Sequence, residues 1–274
     1  MDCVVGIDVG HSTGGKATTG LVILECGSRR VRIAKPVATS SVRQTLSASL
    51  SEENDVSVAV VDGPLAPPCV LAKQRLCEQF FASGVFASSG NDCRKLRLQP
   101  APTREGCAFL VAASAVATTL ASPPFNVPIF VLEMPIRPSV VEIFPTVFMT
   151  ALLPPRCYDG NRSNHTDRLW AELMTYNNGK PLSVLQPYEE LLQAVEDQPN
   201  IKAKHEVRAA AICAIAAHAV SVGVPFGFIG TRAEQGFLLP GTRDGKGWMD
   251  AEFRSLLDYA WERRPDTRNG LQWL

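Results

Sequence analysis

Four acidic residues stand in surroundings too apolar to hold a carboxylate cheaply. Asp8 closes the run CVVGIDV, Asp62 closes VSVAVVD, Glu142 lies within VVEIFP, and Glu206 begins the Ala-rich stretch KHEVRAAAICAIAAHAV. A carboxylate stripped of water needs a compensating group. A divalent cation is one such group; backbone amides or an arginine are others. Hard oxygen donors suit Mg²⁺ or Mn²⁺ better than zinc. A pair of such ions can activate water and stabilise the leaving oxygen of a phosphodiester. Asp8, Asp62, Glu142 and Glu206 are therefore the candidate metal-binding and catalytic set. Each also has a structural reading. Asp8 ahead of Gly10, and Asp62-Gly63-Pro64, are good turn chemistry. Glu142 could pair with an arginine. Glu206 could be a helix-start carboxylate favoured by the helix dipole.

To converge, these acids need strand ends that coincide. Residues 3–9, 17–25, 30–34, 56–61, 127–133, 140–144, 226–229 and 236–239 carry strand-like apolar runs. The linker at 10–16 is too short for a helical crossover, so the first two strands form a hairpin. The run at 56–61 has the continuous apolar character of a central strand buried on both faces. Helices are expected at 40–51, 71–83, 105–121, 166–175, 188–195, 204–222 and 251–263, with a polar loop at 88–102. The helix at 204–222 is nearly all-round apolar and should pack closely on a sheet. If the first strand and the 56–61 strand lie side by side and parallel, Asp8 and Asp62 share the carboxyl edge, where open α/β sheets bind ligands. Small residues behind Glu206, at Ala210, Cys213 and Ala217, would let its helix approach the aspartates.

The segments VVGIDVG, VAVVDGPL, VEIFPT and KHEVRAAAICAIAAHA, with the late EQGFLLP, together resemble the RNase H-like predicted nuclease family, one of the domain-of-unknown-function families. The resemblance runs in order along nearly the whole chain, although each motif alone is short. It implies an α/β fold: an RNase H-like mixed sheet flanked by helices, with inserted helices and loops. The organisation expected is one domain over residues 1–274, with insertions at about 63–125 and 145–203. The activity implied is metal-dependent cleavage of nucleic acid, DNA or RNA. The chain departs from the family where paired aspartates are common on the last helix, because His205-Glu206 stands there. Arg208 and Ala209 occupy the place of a further helix acid.

Substrate contacts are expected from Arg94 and Arg97, near Lys95 and Arg104, from Arg168, and from His205 beside Glu206. A solvated loop accounts for the first group equally well, and an i,i+4 pair with Glu172 accounts for Arg168. Net charge is zero, which argues against a strong non-specific nucleic-acid binder. No apolar run is long enough for a bilayer, and no export signal opens the chain. The eight cysteines, none in a CxxC pair, then read as reduced thiols of a cytoplasmic protein.

Gly10–Lys16 nearly spells a phosphate-binding P-loop, but Ala17 replaces the hydroxyl residue and a strand-like run follows. The same glycine-rich segment also resembles the first phosphate loop of actin-like and sugar-kinase-type ATPases, a rival built on the same core. Asp62-Gly63-Pro64 is a poor second loop for that rival. A non-enzymatic scaffold that keeps the fold is the third reading.

Overall fold

The computed structural model describes residues 2–10, 18–28, 30–50, 55–65, 75–81, 104–130, 138–157, 166–199, 201–231, 233–264 and 270–273. The protein is an α/β structure. Strands β1 (Asp2–Val9), β2 (Thr18–Glu25) and β3 (Val31–Ala38) come first, followed by helix α1 (Val42–Ser49) and strand β4 (Asp55–Asp62). Helices α2 (Leu76–Phe81) and α3 (Arg104–Ala121) precede β5 (Ser139–Ile143). Helices α4 (Pro145–Ala151), α5 (Thr166–Thr175), α6 (Glu189–Glu196) and α7 (Ile201–Ser221) follow. The chain closes with β6 (Gly227–Thr231), β7 (Gln235–Leu239), α8 (Ala251–Arg263) and β8 (Gln272–Trp273).

The main sheet has the order β3-β2-β1-β4-β5. The first three strands are antiparallel neighbours, whereas β4 and β5 continue the sheet parallel to β1. The short linker accounts for the hairpin. The α1 crossover returns the chain beside β1, as parallel pairing requires. Continuous apolar sequence suits β1 and β4 because helices cover both sheet faces. On one face, Val5, Ile7, Ala59 and Val61 meet Val42 and Leu46 of α1 and Ala113, Val116 and Leu120 of α3. On the other, Val4, Val58 and Val60 lie under α7 in an apolar cluster. That cluster also takes in Leu238 and Phe228 of the second sheet, ordered β7-β6-β8, so one core joins both sheets.

Helix α7 is the central helix of the molecule. Its residues from Ala209 to Ala217 are buried without interruption. Its backbone rests on glycines of the sheet. A Cβ on Gly6 would stand 2.1 Å from the carbonyl oxygen of Ala210, and one on Gly20 would stand 2.4 Å from that of Glu206. Alanine on the helix and glycine on the strands together permit this approach.

One expected element takes a different form, and one helix stands where none was expected. Of the strand at 127–133, the described part makes a single parallel bridge from Ile129 to Val140, and residues 131–133 lie outside the described residues. The segment after Glu142 turns at once into α4, with Pro145 in the first helical turn. Proline there has no donor to lose and its fixed φ suits the helix, a signal present in the sequence. Among the described residues, no helix is long and apolar enough to cross a membrane. Cys3, Cys26, Cys77, Cys157 and Cys213 are free thiols.

Candidate functional site

Parallel pairing of β1 with β4 sets Asp8 directly opposite Asp62. Side chains alternate along a strand. Asp8 shares its face with Val4, and Asp62 shares its face with Val58 and Val60, so both carboxyls lie on the α7 side at the carboxyl edge. On the other flank, Asp8 pairs with Gly20 of β2. Gly20 is where the backbone of Glu206 rests on the sheet. One strand pairing and one glycine therefore bring Glu206 to the aspartates. Glu206 is buried and accepts a hydrogen bond from the Thr18 hydroxyl at the start of β2. Gly63 follows Asp62 at φ 143°, and a Cβ there would fall 2.7 Å from that of Ala113, so the turn out of β4 requires glycine.

Burial and mutual repulsion make it costly for both aspartates to carry a charge at once. Burial pushes the Asp8 carboxyl up to about 6, against the bond from Asp62 and the pull of His205, with Glu206 adding to the rise. Asp62 is driven further up, by burial first and then by the charges of Asp8 and Glu142. Asp62 Oδ1 is sealed from solvent and has no hydrogen-bond partner among the described residues. A buried acceptor with no donor is costly and is the kind of atom a cation or a bound hydroxyl satisfies. Beneath the pair, the Cys213 thiol is held far above its usual range by burial and by the nearby Asp62 and Asp8.

The start of α7 carries a second polar group. His205 Nδ1 lies 3.2 Å from Asp167 Oδ2, and the other Asp167 oxygen accepts from Arg208 at 3.0 Å. Arg208 also spans Glu196 with bonds of 2.9 and 3.1 Å. Burial opposes ionisation of Asp167, yet the bonds from Arg208 and His205 hold its carboxyl below the usual range. Asp167 was not among the sequence candidates. It opens a helix, where an aspartate ordinarily serves the helix terminus, and its link to His205 spans 38 residues.

Glu142 stands apart from the aspartates. It pairs with Val61, and Asp62 pairs with Ile143, so alternation puts Glu142 on the α3 side of the sheet. Arg75 Nη1 and Nη2 donate to its two oxygens at 2.8 and 2.6 Å, and Leu65 N donates at 3.0 Å. The expectation that Glu142 completes a metal site thus meets an arginine already seated on both oxygens. Burial still raises the Glu142 carboxyl, with Arg75 opposing it.

Asp8, Asp62 and Glu206 are brought together, with His205 within electrostatic reach of Asp8. Arg168 donates to the carbonyl of Cys157 at 3.4 Å. Arg94 and Arg97 lie outside the described residues, as do residues 11–17 of the glycine-rich segment. Among the described residues, no group of three or more His, Cys, Asp or Glu side chains is placed to hold a metal ion. Two carboxylates still suffice for Mg²⁺ or Mn²⁺, which keep waters and take further oxygens from a phosphate substrate.

No protein-family model matches this chain, and neither does any curated protein or solved structure.

Proposed function

We propose that the protein is an RNase H-like hydrolase that cleaves phosphodiester bonds of nucleic acid with Mg²⁺ or Mn²⁺ held at Asp8 and Asp62. The observation that carries this reading is the side-by-side placement of Asp8, buried, and Asp62, half-buried, at the carboxyl edge, the latter with a sealed oxygen that lacks a donor among the described residues. The mixed sheet, with an antiparallel hairpin leading into parallel strands, supports the RNase H-like assignment. A bound cation would supply charge neutralisation to the phosphate and an activated water. Asp8 and Asp62 must be deprotonated to bind it, so their raised affinity for protons sets a lower pH limit on loading. Glu206, held by Thr18, stands on the β2 side of Asp8, where it can orient a water or a second cation. His205, steadied by Asp167, offers its ring to a phosphate oxygen or the leaving group.

A non-enzymatic scaffold is the second reading, favoured by the arginine that occupies Glu142. Cleavage of labelled single- and double-stranded DNA and RNA in Mn²⁺, with the Asp8→Asn protein as control, separates the two. Metal-dependent cleavage lost in the variant supports the nuclease. Equal traces from both proteins remove it.

A further inference from the structure

Glu142 binds both ends of the connection that leaves β4. Leu65, three residues beyond Asp62, donates its backbone N–H to Glu142 Oε2 at 3.0 Å. Arg75, where the described chain resumes ahead of α2, donates its guanidinium to the same carboxylate at 2.8 and 2.6 Å. Arg75 is itself held by Glu78, with Nε donating to Oε1 at 2.9 Å and the backbone N–H to Oε2 at 3.1 Å. The next residue, Leu76, donates its N–H to Glu234 at the β6–β7 turn at 2.8 Å. Side chains of Arg75, Glu78 and Glu142 are only 3%, 4% and 0% exposed. A buried charge cluster this fully bonded fixes geometry more than it adds stability.

The turn it fixes is the one that aims Asp62. Only Gly63 and Pro64 separate that residue from Leu65, and Gly63 already needs its unusual φ. Strand alternation meanwhile keeps Glu142 off the face of the two aspartates. We propose that Glu142 is a positioning residue that acts through Leu65 and Arg75 to hold Asp62 against Asp8, and that it does not ligate the cation. This rests on the reading of Asp8 and Asp62 as the cation site.

Mn²⁺ affinity, read by the loss of the free-ion paramagnetic resonance signal, tests it without any turnover. Glu142→Gln keeps an oxygen for Leu65 N but turns its amide NH₂ towards the Arg75 guanidinium, and should weaken Mn²⁺ binding only a few-fold, less than Glu142→Met. Glu142→Met removes the acceptor and should weaken binding at least tenfold. Glu142→Asp, which keeps the charge but shortens the reach, should weaken it several-fold and covers the case in which the Met variant does not fold. Asp8→Asn should abolish specific binding. Loss in Glu142→Gln equal to that in Asp8→Asn would overturn the positioning role by making Glu142 a ligand. Wild-type affinity in both Glu142→Met and Glu142→Asp would overturn it by making Glu142 irrelevant. Wild-type affinity in Asp8→Asn would instead bring down the cation site, and this inference with it.

Discussion

Neutralising Asp8 should stabilise the metal-free protein while removing its proposed function. Asn has the shape of Asp, so packing at the strand end is preserved. The charge is what changes. In the folded protein Asp8 holds its proton up to about 6, against an ordinary value of 3.8. The folded state thus binds more protons than the unfolded chain across this window, so the group's contribution to stability falls as pH rises from about 4 to 6. At 1.36 kcal/mol for each unit, the rise corresponds to about 3 kcal/mol lost by pH 7. Asp8→Asn escapes that loss. Urea unfolding in the presence of a chelator, measured from pH 4 to pH 8, should show the variant near wild-type stability at the acid end. Its advantage should grow to about 3 kcal/mol at neutral pH. A difference between the two proteins that stays constant over that range would refute the claim that the pair is electrostatically frustrated.

Saturating Mg²⁺ should reverse the order: at one thousand times the dissociation constant it adds about 4.1 kcal/mol to the wild type and nothing to Asp8→Asn, visible as a metal-dependent Tm in the wild type only. Gly20→Ala should cost about 1–3 kcal/mol, because its new methyl would lie 2.4 Å from the Glu206 carbonyl, and urea unfolding measures the loss. Thr18 should then no longer reach Glu206 as before, so Mn²⁺ affinity in Gly20→Ala should fall as well. Asp250→Ala removes the side chain that caps α8 through Glu252 N and Phe253 N and should cost about 1 kcal/mol, seen as a Tm lower by about 2–4 °C.

The two aspartates were legible because each ends an apolar run, and a parallel pairing of the central strands sufficed to align them. Glu206 was legible from the small residues behind it. The glycines that let α7 settle, Gly6 and Gly20, could be recognised as seats only once the strands they belong to were paired with the helix above. Glu142 differs because its role depends on pairing register. In VVEIF the period-2 rule gives alternation but not which set faces α7, and pairing with Val61 decides it. Arg75 was not singled out because nothing local ties it to a strand 67 residues away. Asp167 was missed for the same reason. Residues 127–133 were apolar enough for a strand, yet of the described residues 127–130 Ile129 alone bridges to β5. Pro145 carried a helix-start signal that the strand-like run before it masked.

Crystals soaked in Mn²⁺ and measured at an energy where manganese scatters anomalously address the cation site most directly. An anomalous peak bonded to one oxygen of Asp8 and one of Asp62, with Glu142 still on Arg75, is the expected result. A saturating soak that leaves this edge empty, or that places manganese only elsewhere on the protein, would contradict it.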